Sequence, residues 1–262
     1  MNIYYLSKYI KYCLFSAYKR GHGIHSPFVF NLISKVFRNK INPEVVFKIE
    51  KIRQLMIADK RKINVTDYGS GSERMKSNLR KVSEIAKYSA VPRKYGILLA
   101  KLTEEFGKSD ILELGTSLGI STMYMAASSP EVVVHTIEGC PETSEIARSN
   151  FEKSGLKNIR TYTGSFDEIL PEIEHQKIRP GLVFIDGDHR KEPVINYFYK
   201  IADMVDYQSV IVFDDIYSSR EMGKAWDEIK KFEKVTLTVD IFRMGLVFFR
   251  KGITRSDYIV RY

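Results

Sequence analysis

Three carboxylates and a histidine make up the densest reactive chemistry in this chain. They stand at the ends of two apolar runs, Phe184-Ile185-Asp186-Gly187-Asp188-His189 and Phe213-Asp214-Asp215. Acids brought together repel one another unless they are protonated or bridged by a cation. Oxygen-only donors suit a hard dication such as Mg²⁺ rather than zinc. Asp186, Asp214 and Asp215 are therefore the expected metal ligands. The plainer reading has Asp214 and Asp215 capping the following loop and Asp186 touching only a cofactor. His189, three residues after Asp186, is the expected general base, because imidazole as a residue type exchanges its proton near neutral pH. Its plainer role is a hydrogen bond to the loop or to a ligating carboxylate.

A second group of residues is built to bind. Glu113-Leu-Gly115-Thr116-Ser-Leu-Gly119-Ile-Ser121 follows an apolar run, and its glycines allow a sharp turn and close approach of a ligand to the backbone. That spacing alone is a weak signal. The next apolar run, however, ends at Glu138, 25 residues after Glu113, where an acid can bond both hydroxyls of a ribose. The loop lacks the Lys-Ser/Thr pair of a triphosphate-binding loop, and it lacks G-x-G-x-x-G, which argues against a nicotinamide cofactor. An adenosine ligand without a pyrophosphate fits best, and S-adenosylmethionine is the common one. A rival acid-x-Gly-x-Gly loop, Asp67-Tyr68-Gly69-Ser70-Gly71-Ser72, leads into a charged helical stretch, Glu73–Lys87. No later strand ending in an acid serves it, so it reads as a glycine turn.

These residues need strands to hold them. Seven runs read as strands: Ile111–Leu114, Val132–Ile137, Ile159–Thr163, Leu182–Ile185, Val210–Phe213, Val235–Phe242 and Leu246–Phe249. The unbroken apolar runs at 182–185 and 210–213 predict strands buried on both faces. Helix-length segments separate the first five, which predicts a parallel α/β sheet with ligands outside the carboxyl ends of its strands. The acids and the glycine loop are then expected to face one crevice. The last two runs are joined by Arg243-Met244-Gly245, which predicts an antiparallel hairpin.

Residues 1–62 differ. Tyr4, Tyr5, Tyr9, Tyr12, Phe15 and Tyr18 alternate with lysines, and Ser26-Pro27 reads as a helix start. The expected organisation is a helical cap at 1–62, a linker with a helix at 63–87, a core at 88–252 and a tail at 253–262. The 262 residues are 44% hydrophobic and 28% charged, which excludes a disordered chain. Cys13 and Cys140 are too few for a disulfide framework or a cysteine-based zinc site, so a reducing, cytoplasmic setting is expected. Lys8 and Lys11 interrupt the first apolar stretch, against a secretory signal, and no run approaches membrane-spanning length. The first hundred residues hold 20 Lys/Arg against 6 Asp/Glu, a net +14, while the rest of the chain is net −5, giving +9 in all. A solvated cap or dimer-forming arm is the default for this basic segment. Nucleic-acid binding is the weaker alternative, since no RNA-binding module is visible. His22 and His25 read as a cap loop or a substrate-facing lid, Trp226 as a core anchor, and Cys140 as packing.

In this order the motifs resemble those of the class I S-adenosylmethionine-dependent methyltransferases, specifically the branch related to catechol O-methyltransferase. The resemblance spans about 88 to 250 and rests on LELGTSLGIS at 112–121, HTIEGCP at 135–141, TGSFDEILP at 163–171, VFIDGDH at 183–189 and VIVFDDI at 210–216. It implies a Rossmann-like fold with a seven-stranded, mostly parallel sheet. It further implies that Glu113, Gly115, Thr116, Gly119 and Ser121 surround the methionine part of the cofactor and that Glu138 holds the ribose. Gly164, Ser165 and Phe166 would flank the adenine, with Val91 and Lys94 near the cofactor. The implied activity is Mg²⁺-assisted O-methylation of a small hydroxylated acceptor, by a protein whose relatives are often dimers. Two departures matter. Asp215 stands where the family has Asn, and His189 stands where the catechol enzymes have a lysine, so a catechol acceptor is not implied. An RNA methyltransferase and a noncatalytic S-adenosylmethionine sensor are the rival functions.

Overall fold

The computed structural model describes residues 3–16, 24, 26–66, 68 and 77–262. His22, His25, Asp67 and residues 69–72 of the rival glycine loop lie outside the described residues. The chain divides into two compact units, residues 40–178 and residues 1–39 with 179–262.

The second of these units begins with α1 (Ile3–Phe15), where Tyr5, Tyr9 and Tyr12 share a face because they are four and three residues apart. Helix α2 (Pro27–Asn31) starts where the sequence predicts. The Ser26 hydroxyl accepts from the Val29 amide at 3.4 Å, and Pro27 fills the first helical position. A wider π turn, Leu32–Val36, continues it.

Within residues 40–178, α3 (Pro43–Ala58) is capped by Asn42, which accepts from the Glu44 amide at 2.9 Å. Strands β1 (Lys62–Asn64) and β2 (Leu79–Lys81) pair antiparallel, and α4 covers only Val82–Tyr88. Within the stretch read as helical, Leu79–Lys81 thus forms a strand instead, because three residues carry too little alternation to be read. Then follow α5 (Arg93–Phe106), β3 (Ile111–Leu114), α6 (Ile120–Ser128), β4 (Val134–Glu138), α7 (Pro141–Ser154), β5 (Ile159–Thr163) and α8 (Phe166–His175). Strands β3, β4 and β5 are parallel, with Ile111 opposite Val134 and Val134 opposite Ile159. Helices α5 and α6 meet at Gly96, where an added Cβ would lie 2.5 Å from the Tyr124 ring. The Tyr124 hydroxyl in turn donates to Glu50 at 2.9 Å, and Arg53 pairs with Glu50 at 3.0 Å.

Residues 179–262 supply β6 (Leu182–Ile185), α9 (Lys191–Ala202), β7 (Val210–Phe213), α10 (Arg220–Ile229), β8 (Leu237–Asp240), β9 (Gly245–Phe248) and β10 (Ser256–Ile259). Strands β6 and β7 are parallel and buried at every residue, as their unbroken apolar runs predict. Strand β9 runs antiparallel to both β7 and β8, which is the expected hairpin. Strand β10 falls in the stretch read as a tail and pairs parallel with β8. It is fastened by polar groups, not by an apolar pattern. Thr238 donates to Asp257 at 2.5 Å, and the Tyr12 hydroxyl donates to the Val260 carbonyl at 2.9 Å. Trp226 is a core anchor as read, packed so closely that a Cβ at Gly245 would lie 2.7 Å from its ring.

The architecture is α/β, with mostly parallel strands and an antiparallel hairpin. Among the described residues no helix is long and apolar enough to cross a membrane.

Candidate functional site

The glycine loop connects β3 to α6 through three left-handed backbone conformations, at Gly115 (φ +102°), Ser117 (φ +49°) and Gly119 (φ +84°). Glycine is required at the last of these on two grounds: its φ, and the Phe151 ring, which a Cβ would approach to 2.4 Å. Gly119 caps α6 without any side-chain cap, so the first turn of that helix presents backbone amides at the loop. Glu138, at the end of β4, accepts from the Ser117 amide at 2.7 Å and from the Cys140 amide at 3.0 Å. A carboxylate oxygen can accept more than one bond, so this anchoring leaves Glu138 suited to ribose hydroxyls. Fixed loop, uncapped helix start and anchored acid together fit an adenosine ligand.

Glu113 occupies a different place from its predicted neighbours. It is wholly buried, and the hydroxyls of Thr122 and Thr136 donate to its Oε2 at 2.5 and 2.7 Å. Thr116 is likewise buried and bonded to Thr136 at 2.5 Å. These two brace the loop from inside. Burial pushes the Glu113 carboxyl up to about 7, against the opposing pull of the Ser121, Thr122 and Thr136 hydroxyls. A folded state that holds this proton more tightly than the unfolded chain is favoured below pH 4.5 and loses that advantage as pH rises through 7. Glu113→Gln should therefore gain on the wild type by roughly 3 kcal/mol between pH 4 and pH 8 in denaturant titrations. A pH-independent difference between the two proteins would contradict the buried-acid assignment.

Ser165 caps α8 in a reciprocal box with Glu168, with Gly164 before it and half-buried Phe166 after it. Val91 is buried, and its carbonyl accepts from Arg53 at 2.7 Å. Tyr68, which in the sequence belongs only to the rival glycine turn, has its ring where a Cβ on Gly139 would meet it at 2.6 Å, beside the Glu138 anchor. Cys140 packs as expected, fully buried.

The second group forms around the hairpin. Asp186 ends β6, and His189 Nε2 stands 3.7 Å from its Oδ1. Asp214 and Asp215 follow β7, with Asp215 in the left-handed region at φ +51°. Because Phe213 pairs with Gly245 across β7 and β9, the turn residue Arg243 arrives beside both acids. The Ile216 amide donates to the Arg243 carbonyl at 3.2 Å and fixes that turn. The guanidinium then grips Asp214 with two donors, Nε to Oδ1 at 2.9 Å and Nη2 to Oδ2 at 2.7 Å. Nη2 also stands 3.6 Å from Asp215. Burial alone would weaken the hold of Arg243 on its proton, but the charges of Asp214 and Asp215 more than reverse this. Burial and Asp215 raise the Asp214 carboxyl, Arg243 opposes them, and the bidentate geometry is that of the ionised pair.

This arrangement differs from the expectation of a metal held by Asp186, Asp214 and Asp215. Among the described residues no three His, Cys, Asp or Glu side chains gather as metal donors. A guanidinium spans both Asp214 oxygens, and its fixed positive charge opposes a dication at the same carboxylate, so the acids as built do not fit Mg²⁺. The turn that carries Arg243 is held by the aromatic cap. Phe242, at φ +73°, packs against Tyr5, Tyr9, Tyr12 and Tyr217 at ring distances of 5.0, 5.1, 5.3 and 5.9 Å.

Residues 112–216 match the family model described as a methyltransferase domain. A catechol O-methyltransferase of Niastella koreensis is 33% identical over 134 residues, which cover 50% of this chain and 57% of that protein. A catechol O-methyltransferase of Mycobacterium tuberculosis is 30% identical over 129 residues, 48% of this chain and 57% of its own length. The chain thus spans a little over half the length of these relatives. Among solved structures, an O-methyltransferase from Bacillus cereus in complex with SAH superposes with a TM-score of 0.57 at 21% identity, covering 84% of this chain and 97% of that one. Residues 112–216 thus carry a methyltransferase domain, and over about half of its length this chain is similar to catechol O-methyltransferases within a fold shared with S-adenosylmethionine-dependent O-methyltransferases.

Proposed function

We propose that this chain transfers a methyl group from S-adenosylmethionine to a hydroxyl oxygen of a small molecule. The observation that carries this reading is the β3–α6 loop, with its left-handed glycines and an acid anchored at the end of β4. Gly115, the Thr116 backbone, Gly119 and Ser121 are assigned to the methionine part of the cofactor, Glu138 to the ribose, Gly164, Ser165 and Phe166 to the adenine, and Val91 to the adjoining wall. Glu113 acts on the cofactor through the loop it braces. When bound, S-adenosylmethionine supplies an electrophilic methyl on a sulfonium. His189 receives the proton that the acceptor hydroxyl gives up, and Asp186, 3.7 Å away, orients the imidazole. Mg²⁺ assistance is not part of this reading, because Arg243 already engages the acid that would bind it.

The acceptor class draws support from the names of the relatives, catechol O-methyltransferases. A cytoplasmic setting agrees with two free thiols at Cys13 and Cys140. The test is incubation of the chain with methyl-labelled S-adenosylmethionine, once with a fractionated metabolite extract and once with total RNA. Label is expected in a small-molecule fraction. Label confined to RNA would favour the basic N-terminal segment as a nucleic-acid surface, and cofactor binding without transfer in either arm would refute catalysis.

A further inference from the structure

We infer that Arg243 is the permanent cation of the acid cluster and that the reaction here runs without a divalent metal. This rests on the proposed methyl transfer but makes a separate claim about which cation serves it. Three observations carry it. The Asp214 side chain has no exposed area, and a guanidinium meets both its oxygens in a bidentate pair at 2.9 and 2.7 Å. A two-point pair to a fully buried carboxylate is costly to break by removing the arginine, because it strands an uncompensated buried charge. A metal entering at Asp214 would meet a carboxylate whose charge is already offset by a guanidinium, and would have to sit against that fixed positive charge or displace it.

The second observation is that Arg243 is held where it is. Its carbonyl accepts from Ile216, its neighbour Phe242 is clasped by Tyr5, Tyr9 and Tyr12 of α1 and by Tyr217, and Gly245 pairs with Phe213. The aromatic residues of α1 thereby acquire a function the sequence could not suggest: they brace the turn that delivers the cation. The third observation is the charge balance of Asp215. An acid there would strengthen a dication site, yet it lies 3.6 Å from the same guanidinium, which an additional negative charge also stabilises.

The chemical consequence is a change in who activates the acceptor. A dication lowers the pKa of a hydroxyl by binding its oxygen directly. A guanidinium can only hydrogen-bond and offset charge, so removal of the proton falls more heavily on His189. Recognition of two vicinal oxygens by chelation is likewise not required of the acceptor.

The test uses the full chain with S-adenosylhomocysteine added, and reads Mn²⁺ by electron paramagnetic resonance, so that it does not depend on turnover. The wild type should leave the free Mn²⁺ signal undiminished at millimolar metal, whereas Arg243→Gln should bind Mn²⁺ and lose it again when Asp214→Asn is added. Binding of Mn²⁺ by the wild type, abolished by Asp214→Asn, would overturn the inference. So would a folded Arg243→Gln protein that still binds none. If that variant does not fold, the wild-type titration decides alone. Where an acceptor is in hand, EDTA should leave the rate unchanged, and loss of rate restored by Mg²⁺ would also overturn it. Failure of methyl transfer with every acceptor would count against the proposed function and leave the Mn²⁺ result standing.

Discussion

His189→Ala is expected to lower kcat by about two to four orders of magnitude at neutral pH, with KM for S-adenosylmethionine nearly unchanged. The imidazole stands 3.7 Å from Asp186 and is not part of the β3–α6 loop assigned to the cofactor. Its loss should therefore remove proton acceptance without touching cofactor affinity. Raising the pH should recover part of the rate, because the acceptor then ionises on its own and needs no base. A His189→Ala enzyme with normal kcat would end the assignment and leave His189 as a partner of Asp186 only.

Gly115→Val is expected to eliminate measurable cofactor binding. At φ +102° a branched side chain strains the backbone, and it would also fill the space the ligand must enter. Glu138→Ala is the graded companion. It removes a charged acceptor for the ribose and the strut between the Ser117 and Cys140 amides, worth roughly 1.5–3 kcal/mol, or about ten- to a hundredfold in Kd. Circular dichroism of both variants should remain that of a folded α/β protein. Calorimetry showing wild-type affinity in both would move the search to the segment around Asp67.

The sequence discloses most clearly what is buried on both faces. Leu182–Ile185 and Val210–Phe213 are unbroken apolar runs, and the strands observed there begin and end at those same residues. The glycine loop and Glu138 were legible because backbone conformation and strand end are local properties of a short stretch. Long-range placement was not. Arg243 and Asp214 lie 29 positions apart, and only the antiparallel pairing of β9 onto β7 brings them together. A reader who docked the predicted hairpin onto 210–213 would have found an arginine next to the acids, and this was the available signal. Two acids in sequence announce a cation without saying which. Strand β10 carries no readable strand signal, because Ser256–Ile259 is only four residues long, shows no polar/apolar alternation, and is fixed by Thr238 and Tyr12. The tyrosines of α1 showed their spacing but not their target, since Phe242 is more than two hundred residues away.

Calorimetric titration of the wild-type chain with S-adenosylmethionine tests the central claim most directly, because every assignment to the β3–α6 loop and to Glu138 depends on it. A saturable isotherm with one site per chain, competed by S-adenosylhomocysteine and weakened in Glu138→Ala, is the predicted result. A folded protein that yields no binding heat at any temperature tried, and no thermal shift with either ligand, would contradict it.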